Sequence, residues 1–167
     1  MPWQRIHKGD TRGREMADLH YTRQTPGHPM WTRPGYNHCL LAEFPCGRAL
    51  FVWWRPKWED GRPGTSRKDG LRVLECTIFR VEGATPLASE LIRGAVAALA
   101  KRCEDLKLDC AGAVEGLITG VGASQTVRRR SRRSQPGVCF QHAGWERFDK
   151  RAGKADVWYR LSWENCW

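Results

Sequence analysis

The segment Arg128-Arg129-Arg130-Ser131-Arg132-Arg133 places five arginines within six residues in the interior of a 167-residue chain. Guanidinium groups stay charged and cannot enter an apolar core unpaired, so this run must meet water or an anion. It supplies half of the formal net charge of +10. A polyanion is the expected partner, nucleic acid first among them; the plain alternative is a solvated loop that only aids solubility. A second cluster, Val52-Trp53-Trp54-Arg55-Pro56-Lys57-Trp58, interleaves flat aromatics with cations. Such aromatics stack on unpaired bases, and Arg55 and Lys57 beside them can touch phosphates. On a strand Trp53 and Trp54 face opposite ways, so at least one belongs to the core.

The remaining reactive side chains are more dispersed. Cys39, Cys46, Cys76, Cys103, Cys110, Cys139 and Cys166 form no C-x-x-C pair. That pattern argues against a disulfide framework or a zinc ribbon and for reduced thiols acting as small apolar residues. His38, Cys39 and Cys46 fit no closed zinc spacing, so no metal ligands are assigned, although a metal such as iron held by distant loops stays open. His28, His38 and His142 read as structural. No secretory signal is read and no apolar run approaches a membrane span, so a soluble, cytoplasmic protein without a membrane partner is expected.

With 41% hydrophobic and 28% charged residues, the chain has the balance of one globular domain. Residues 1–19 are polar and basic with little periodicity, and are expected to be flexible. Residues 20–36 read as a Pro/Gly-rich loop, with a short helix allowed before it. Residues 37–44 and 49–55 form a hairpin pattern around Pro45-Cys46-Gly47-Arg48. Leu71 to Arg80 is the clearest strand, with Leu71, Val73, Glu75, Thr77 and Phe79 on one face and Leu74, Cys76, Ile78 and Arg80 on the other. Glu75 on an apolar strand calls for a cation such as Arg93. Glu75 and Arg80 then point to opposite faces unless a bulge intervenes. Thr85 and Pro86 open a helix to about Cys103, with Leu87, Leu91, Ala95, Val96, Leu99 and Cys103 in one stripe. A glycine-interrupted strand at 108–121, an arginine-rich insertion at 122–135, a helix from Pro136 to about Phe148 and a strand at 155–163 complete the order. The result is an α/β domain with a mixed sheet.

This order resembles the acetyltransferase-like fold of the GNAT superfamily, with a mixed, mostly antiparallel sheet flanked by helices. The strand ending at Arg80, the helix from Pro86 and the segment Gly137-Val138-Cys139-Phe140-Gln141-His142-Ala143-Gly144-Trp145-Glu146 carry the resemblance. The last segment is equally a helix with an Ala-Gly C-cap and a buried Trp145. The resemblance implies that the turn Arg80-Val81-Glu82-Gly83-Ala84-Thr85 offers N–H groups to the pyrophosphate of acetyl-CoA, with Gly83 and Thr85 as cofactor contacts. Thr85 replaces a small residue there, and Glu82 adds a negative charge beside the phosphates.

Leu19-His20-Tyr21-Thr22-Arg23 resembles the His-Tyr-Ser/Thr segment of Mom-type DNA modification proteins of bacteriophages. That family modifies the exocyclic N6 of adenine to a carbamoylmethyl adduct. The resemblance implies DNA as partner, the host cytoplasm as location, and His20, Tyr21 and Arg80 as catalytic residues. Ser124 is a further candidate by its place after the penultimate strand. His20 would act as a base toward the N6 amine, Tyr21 would donate to a carbonyl or stack, and Arg80 would hold an oxygen-rich donor. The rival expectations are an acetyl-CoA-dependent N-acetyltransferase on a small molecule or protein, and a non-catalytic DNA-binding protein.

Overall fold

The computed structural model describes residues 2–56, 71, 73–105, 116–122, 136–148 and 156–162. The elements are β1 (Gln4–Ile6), α1 (Thr11–Asp18), β2 (Tyr36–Phe44), β3 (Cys46–Arg55), β4 (Leu74–Ala84), α2 (Ala88–Asp105), β5 (Leu117–Gly122), α3 (Val138–His142), β6 (Glu146–Phe148) and β7 (Asp156–Leu161). Seven strands make one open sheet in the order β1-β2-β3-β4-β5-β7-β6. Among the described residues β4 and β5 run parallel and every other neighbouring pair is antiparallel. The α/β class and the mixed, mostly antiparallel sheet are as expected, but the helical cover is light. No helix among the described residues is long and apolar enough to cross a membrane.

Alternation along the strands sorts the core into two layers. Leu40, Phe51, Trp53, Leu74 and Cys76 face α2, where Ile92, Ala95, Val96 and Leu99 cover them. Leu41, Leu50, Val52 and Ile78 face the other way, under Met16 and Ala17 of α1 and Trp31. Trp53 is fully buried and Trp54 only partly, which settles the expected division of that pair. Trp53 stacks on Trp145 at 6.2 Å between ring centroids, which ties the sheet to the segment after α3.

Several elements differ from the sequence expectation. Residues 1–19 contain a strand and a helix. Asp10 caps α1 by accepting from Arg12 N, β1 pairs with β2, and Trp3 Nε1 donates to the Leu91 carbonyl of α2. The apolar positions here are too few to show a period, and long-range contacts decide the structure. α2 begins after Leu87, which is exposed; its N–H bonds the Glu90 carboxylate, while the Thr85 hydroxyl bonds the Pro86 carbonyl and caps nothing. α3 ends early because Gly144 takes a φ of +94°. Trp145 N then bonds Phe140 O and Gly144 N bonds Gln141 O, while the Phe140 and Trp145 rings meet edge to face. This is a Schellman cap with its hydrophobic contact, so the expected Ala-Gly ending is real and residues 146–148 leave the helix as β6. Of the strand expected at 108–121, residues 108–115 lie outside the described residues.

If α1 is an integral part of the domain, Asp10→Ala lowers global stability by ~0.5–2 kcal/mol in denaturant unfolding, as loss of an N-cap does. A flexible lead-in segment would leave the midpoint unchanged.

Candidate functional site

Among the described residues β4 and β5 are paired at three positions, Leu74↔Leu117, Glu75↔Ile118 and Cys76↔Thr119. Beyond these, β4 continues beside β3 to Ala84 and β5 continues beside β7 to Gly122. The two parallel strands therefore diverge, and a cleft of about 160 Å³ opens between them, lined by His20, Tyr21, Phe79, Thr119, Cys139 and Phe140 among others. Divergence leaves main-chain groups on the two facing edges without ladder partners, and such groups must be satisfied elsewhere. The Tyr21 hydroxyl donates to the Gly120 carbonyl at 3.3 Å and accepts from Gly122 N at 3.2 Å. Thr22 Oγ1 lies 3.5 Å from the Thr77 carbonyl and 2.8 Å from His20 Nδ1. The His-Tyr-Thr segment thus spans the gap from β4 to β5.

The loop that carries this segment is held in place by charged hydrogen bonds. Arg23 donates to Asp18 at 2.7 Å and to the carbonyls of Met30 and His28 at 2.9 and 2.7 Å. Asp18 also accepts from Gly27 N. Arg80 donates to the Leu19 carbonyl at 2.7 Å and to Glu82 at 2.8 Å. Arg80 therefore stands beside His20, as expected, but its guanidinium is engaged in pinning the end of α1.

The faces of β4 explain how Arg80 reaches this side. The β3–β4 register shifts between Val52 and Trp53: Val52 pairs with Ile78, but Trp53 pairs with Cys76. Thr77 is the extra residue of a bulge, so alternation inverts across it. Phe79 joins Leu74 and Cys76 toward α2, contrary to simple alternation. Ile78 and Arg80 join Glu75 on the opposite face. Glu75 and Arg80 thus share a face, the one circumstance in which they can. The buried Glu75 is paired not with Arg93 but with Arg33 at 3.0 Å, and the Arg33 guanidinium lies over the Trp54 ring. Arg93 donates instead to the His142 carbonyl.

The cleft disfavours positive charge. Burial, and then the Arg80 guanidinium, push the His20 pKa down to about 4. Its ring lies 4.4 Å from that of Tyr21. Burial also raises the cleft thiols, Cys139 to about 11 and Cys76 well above the usual range, so both are protonated at neutral pH. His38 on β2 is likewise pushed down to about 4, by burial first and then by Arg5 and Arg102. Neither of its ring nitrogens has a hydrogen-bond partner among the described residues.

The expected cofactor contacts are not arranged as a phosphate turn. β4 continues through Gly83, which pairs with Gly47 of β3, and Glu82 pairs with Arg48. Gly83 has a φ of +70°, and a Cβ there would strike the Cys46 carbonyl oxygen, so the glycine serves close strand contact. Thr85 is engaged with Pro86. Arg55 lies over the Tyr36 ring at 5.0 Å. Ser124, Lys57 and the arginines Arg128, Arg129, Arg130, Arg132 and Arg133 lie outside the described residues. Among the described residues no group of three His, Cys, Asp or Glu side chains converges on a metal position. No site role follows from the sequence for Thr22, Cys139 or Arg33, although Thr22 stands in the His-Tyr-Thr segment. Thr22 alone carried a local signal, a hydroxyl two residues after a histidine.

Unfolded histidines bind protons below about pH 6.5, whereas His20 and His38 bind them in the native state only near pH 4. Unfolding therefore takes up protons between these values, and stability falls as pH drops from 6.5 toward 4. Denaturant titrations across that window should show this slope. His38→Leu should flatten it by up to ~1.4 kcal/mol per pH unit, the contribution of one proton.

Comparison with known proteins finds no matching family model, no similar curated protein and no similar solved structure.

Proposed function

We propose that this chain is a transferase of acetyltransferase-like, GNAT-type architecture that adds a small acyl or carbamoylmethyl-type group to the exocyclic N6 of adenine in DNA. The observation that carries this reading is the cleft between the diverging strands, bordered by the His20-Tyr21-Thr22 segment. The sheet order, with one parallel pair at its centre that parts to form a cavity, supports the fold-level resemblance. The resemblance of residues 19–23 to the Mom-type segment supports the chemistry. In that chemistry the N6 nitrogen forms a bond to the electrophilic carbon of an activated acyl or carbamoylmethyl donor. The carrier leaves with the bonding pair and N6 gives up one proton. Adenine must first leave the base stack, at a cost of a few kcal/mol. The net charge of +10 and the arginine run support a polyanionic partner whose phosphates help offset that cost.

An ordinary acetyl-CoA enzyme is less well supported, because Gly83 sits in a strand ladder and offers no pyrophosphate turn. A non-catalytic DNA-binding protein is favoured by one observation: the Tyr21 hydroxyl already bonds two main-chain groups of β5. Nucleoside mass spectrometry of DNA co-expressed with the protein separates these readings. The expected result is a mass-shifted deoxyadenosine that disappears with His20→Ala. Unmodified DNA from folded, DNA-binding protein defeats the enzymatic reading. Replacing the five clustered arginines by glutamine should weaken DNA binding and reduce its log–log salt slope by ~0.9 for each phosphate that is no longer neutralised.

A further inference from the structure

We propose that Thr22 is a positioning residue that fixes His20 in its Nε2–H tautomer, so that the imidazole meets a ligand in the cleft as a neutral hydrogen-bond donor rather than as a base. Two groups of one residue converge on His20 Nδ1. The Thr22 main-chain N–H reaches it at 3.3 Å and the Thr22 hydroxyl at 2.8 Å. The main-chain N–H can only donate, so Nδ1 must offer it a lone pair, and the hydroxyl's single proton then goes to that nitrogen at 2.8 Å rather than to the Thr77 carbonyl at 3.5 Å. A ring nitrogen that receives two hydrogen bonds keeps its lone pair. A neutral imidazole then carries its one proton on Nε2.

The main-chain part of this arrangement recurs elsewhere. His7 Nδ1 accepts from Gly9 N and His28 Nδ1 accepts from Met30 N, each at 3.0 Å. His20 differs in being buried and in receiving the second donor, the hydroxyl. Burial first, and then the Arg80 charge, keep the ring neutral. Arg80 of β4 brings a positive charge, Cys76 of β4 and Cys139 of α3 line the same cavity as protonated thiols, and the Tyr21 ring packs against the imidazole. No carboxylate lines the cleft among the described residues. A neutral N–H donor fixed before reaction suits an oxygen on which negative charge develops. The ligand class is therefore a small carbonyl-bearing group, such as the acyl or amide portion of a donor. That use in turnover rests on the transferase reading; the tautomer does not.

The test is nitrogen-15-resolved NMR of the histidine rings at pH 7, with the backbone spectrum as a check of fold. The wild-type protein should show His20 with an unprotonated Nδ1 and a protonated Nε2. Thr22→Val removes the hydroxyl and should shift the ring measurably toward the Nδ1–H form, and Thr22→Ser should restore the wild-type signature. A wild-type Nδ1–H ring, or a Thr22→Val spectrum identical to wild type in a folded protein, overturns the proposal. If DNA adducts form, Thr22→Val should lower kcat with KM for DNA little changed, and Thr22→Ser should recover it; a rise in KM alone overturns the positioning role. The expected tautomer without any DNA adduct would count against the transferase reading and leave the tautomer assignment standing.

Discussion

The divergence of β4 and β5 after Cys76 and Thr119 is the constraint on which the rest of this architecture depends. A parallel pair at the centre of a sheet normally satisfies its main-chain groups along its full length. Here it stops at Cys76 and Thr119, which creates a cavity and leaves polar edges to be completed. Tyr21 and Thr22 reach those edges from one loop. That loop must sit at a fixed height and angle, which accounts for the charged clasp of Arg23 and Asp18 and for the Arg80 bond to the Leu19 carbonyl. The short helix α1 is the platform from which the loop departs, so the N-terminal elements belong to the site as much as to the fold.

The bulge at Thr77 is the second consequence of the same geometry. It lies where β4 leaves β5, bends the strand and inverts its alternation. Without it Arg80 would take the place of Phe79 on the α2 side, in an apolar layer with Phe51 and Phe140, and could not pin the loop. With it, Glu75, Ile78 and Arg80 line one face, and Arg33 closes over the buried carboxylate of Glu75. One extra residue therefore sets which charges stand near His20, and so contributes to keeping that imidazole neutral.

The opposite face is built for rigidity. Phe51, Trp53, Phe79, Phe140, Trp145 and Tyr159 form a continuous aromatic layer between the sheet, α2 and α3. The Tyr159 hydroxyl donates to the Pro136 carbonyl at 2.6 Å, which holds the entry to α3 against β7. Gly137 allows this approach, since a Cβ there would strike the Tyr159 ring. Phe79 and Phe140 also line the cleft, so one wall of the cavity is the edge of the core and is not free to adjust.

Local pattern was enough to read the hairpin of β2 and β3, the strand around Leu74–Arg80, the apolar stripe of α2 and the presence of a core residue in the Trp53-Trp54 pair, while the glycine ending of α3 stood only as the alternative to a helix reaching about Phe148. Each depends on periodicity or on a backbone conformation that one residue type favours, and both are written in neighbouring residues. The arginine run and the His20-Tyr21 pair were equally visible as chemistry. What the residues alone did not determine was which of them meet. β1 has too little apolar period to be seen, and α1 was allowed only as a short helix before the loop; both form because Trp3, Met16 and Ala17 find surfaces far along the chain. The bulge at Thr77 arises from pairing with β3, and no neighbour of Thr77 announces it. Continuation of β4 through Gly83 removed a turn that looked plausible as sequence, because the ladder with Cys46 and Gly47 claims those main-chain groups. The partners of Glu75, Arg80 and His20 were decided by tertiary structure for the same reason: a buried charge or ring takes the partner that the fold brings within hydrogen-bond distance, and sequence separation does not encode that distance.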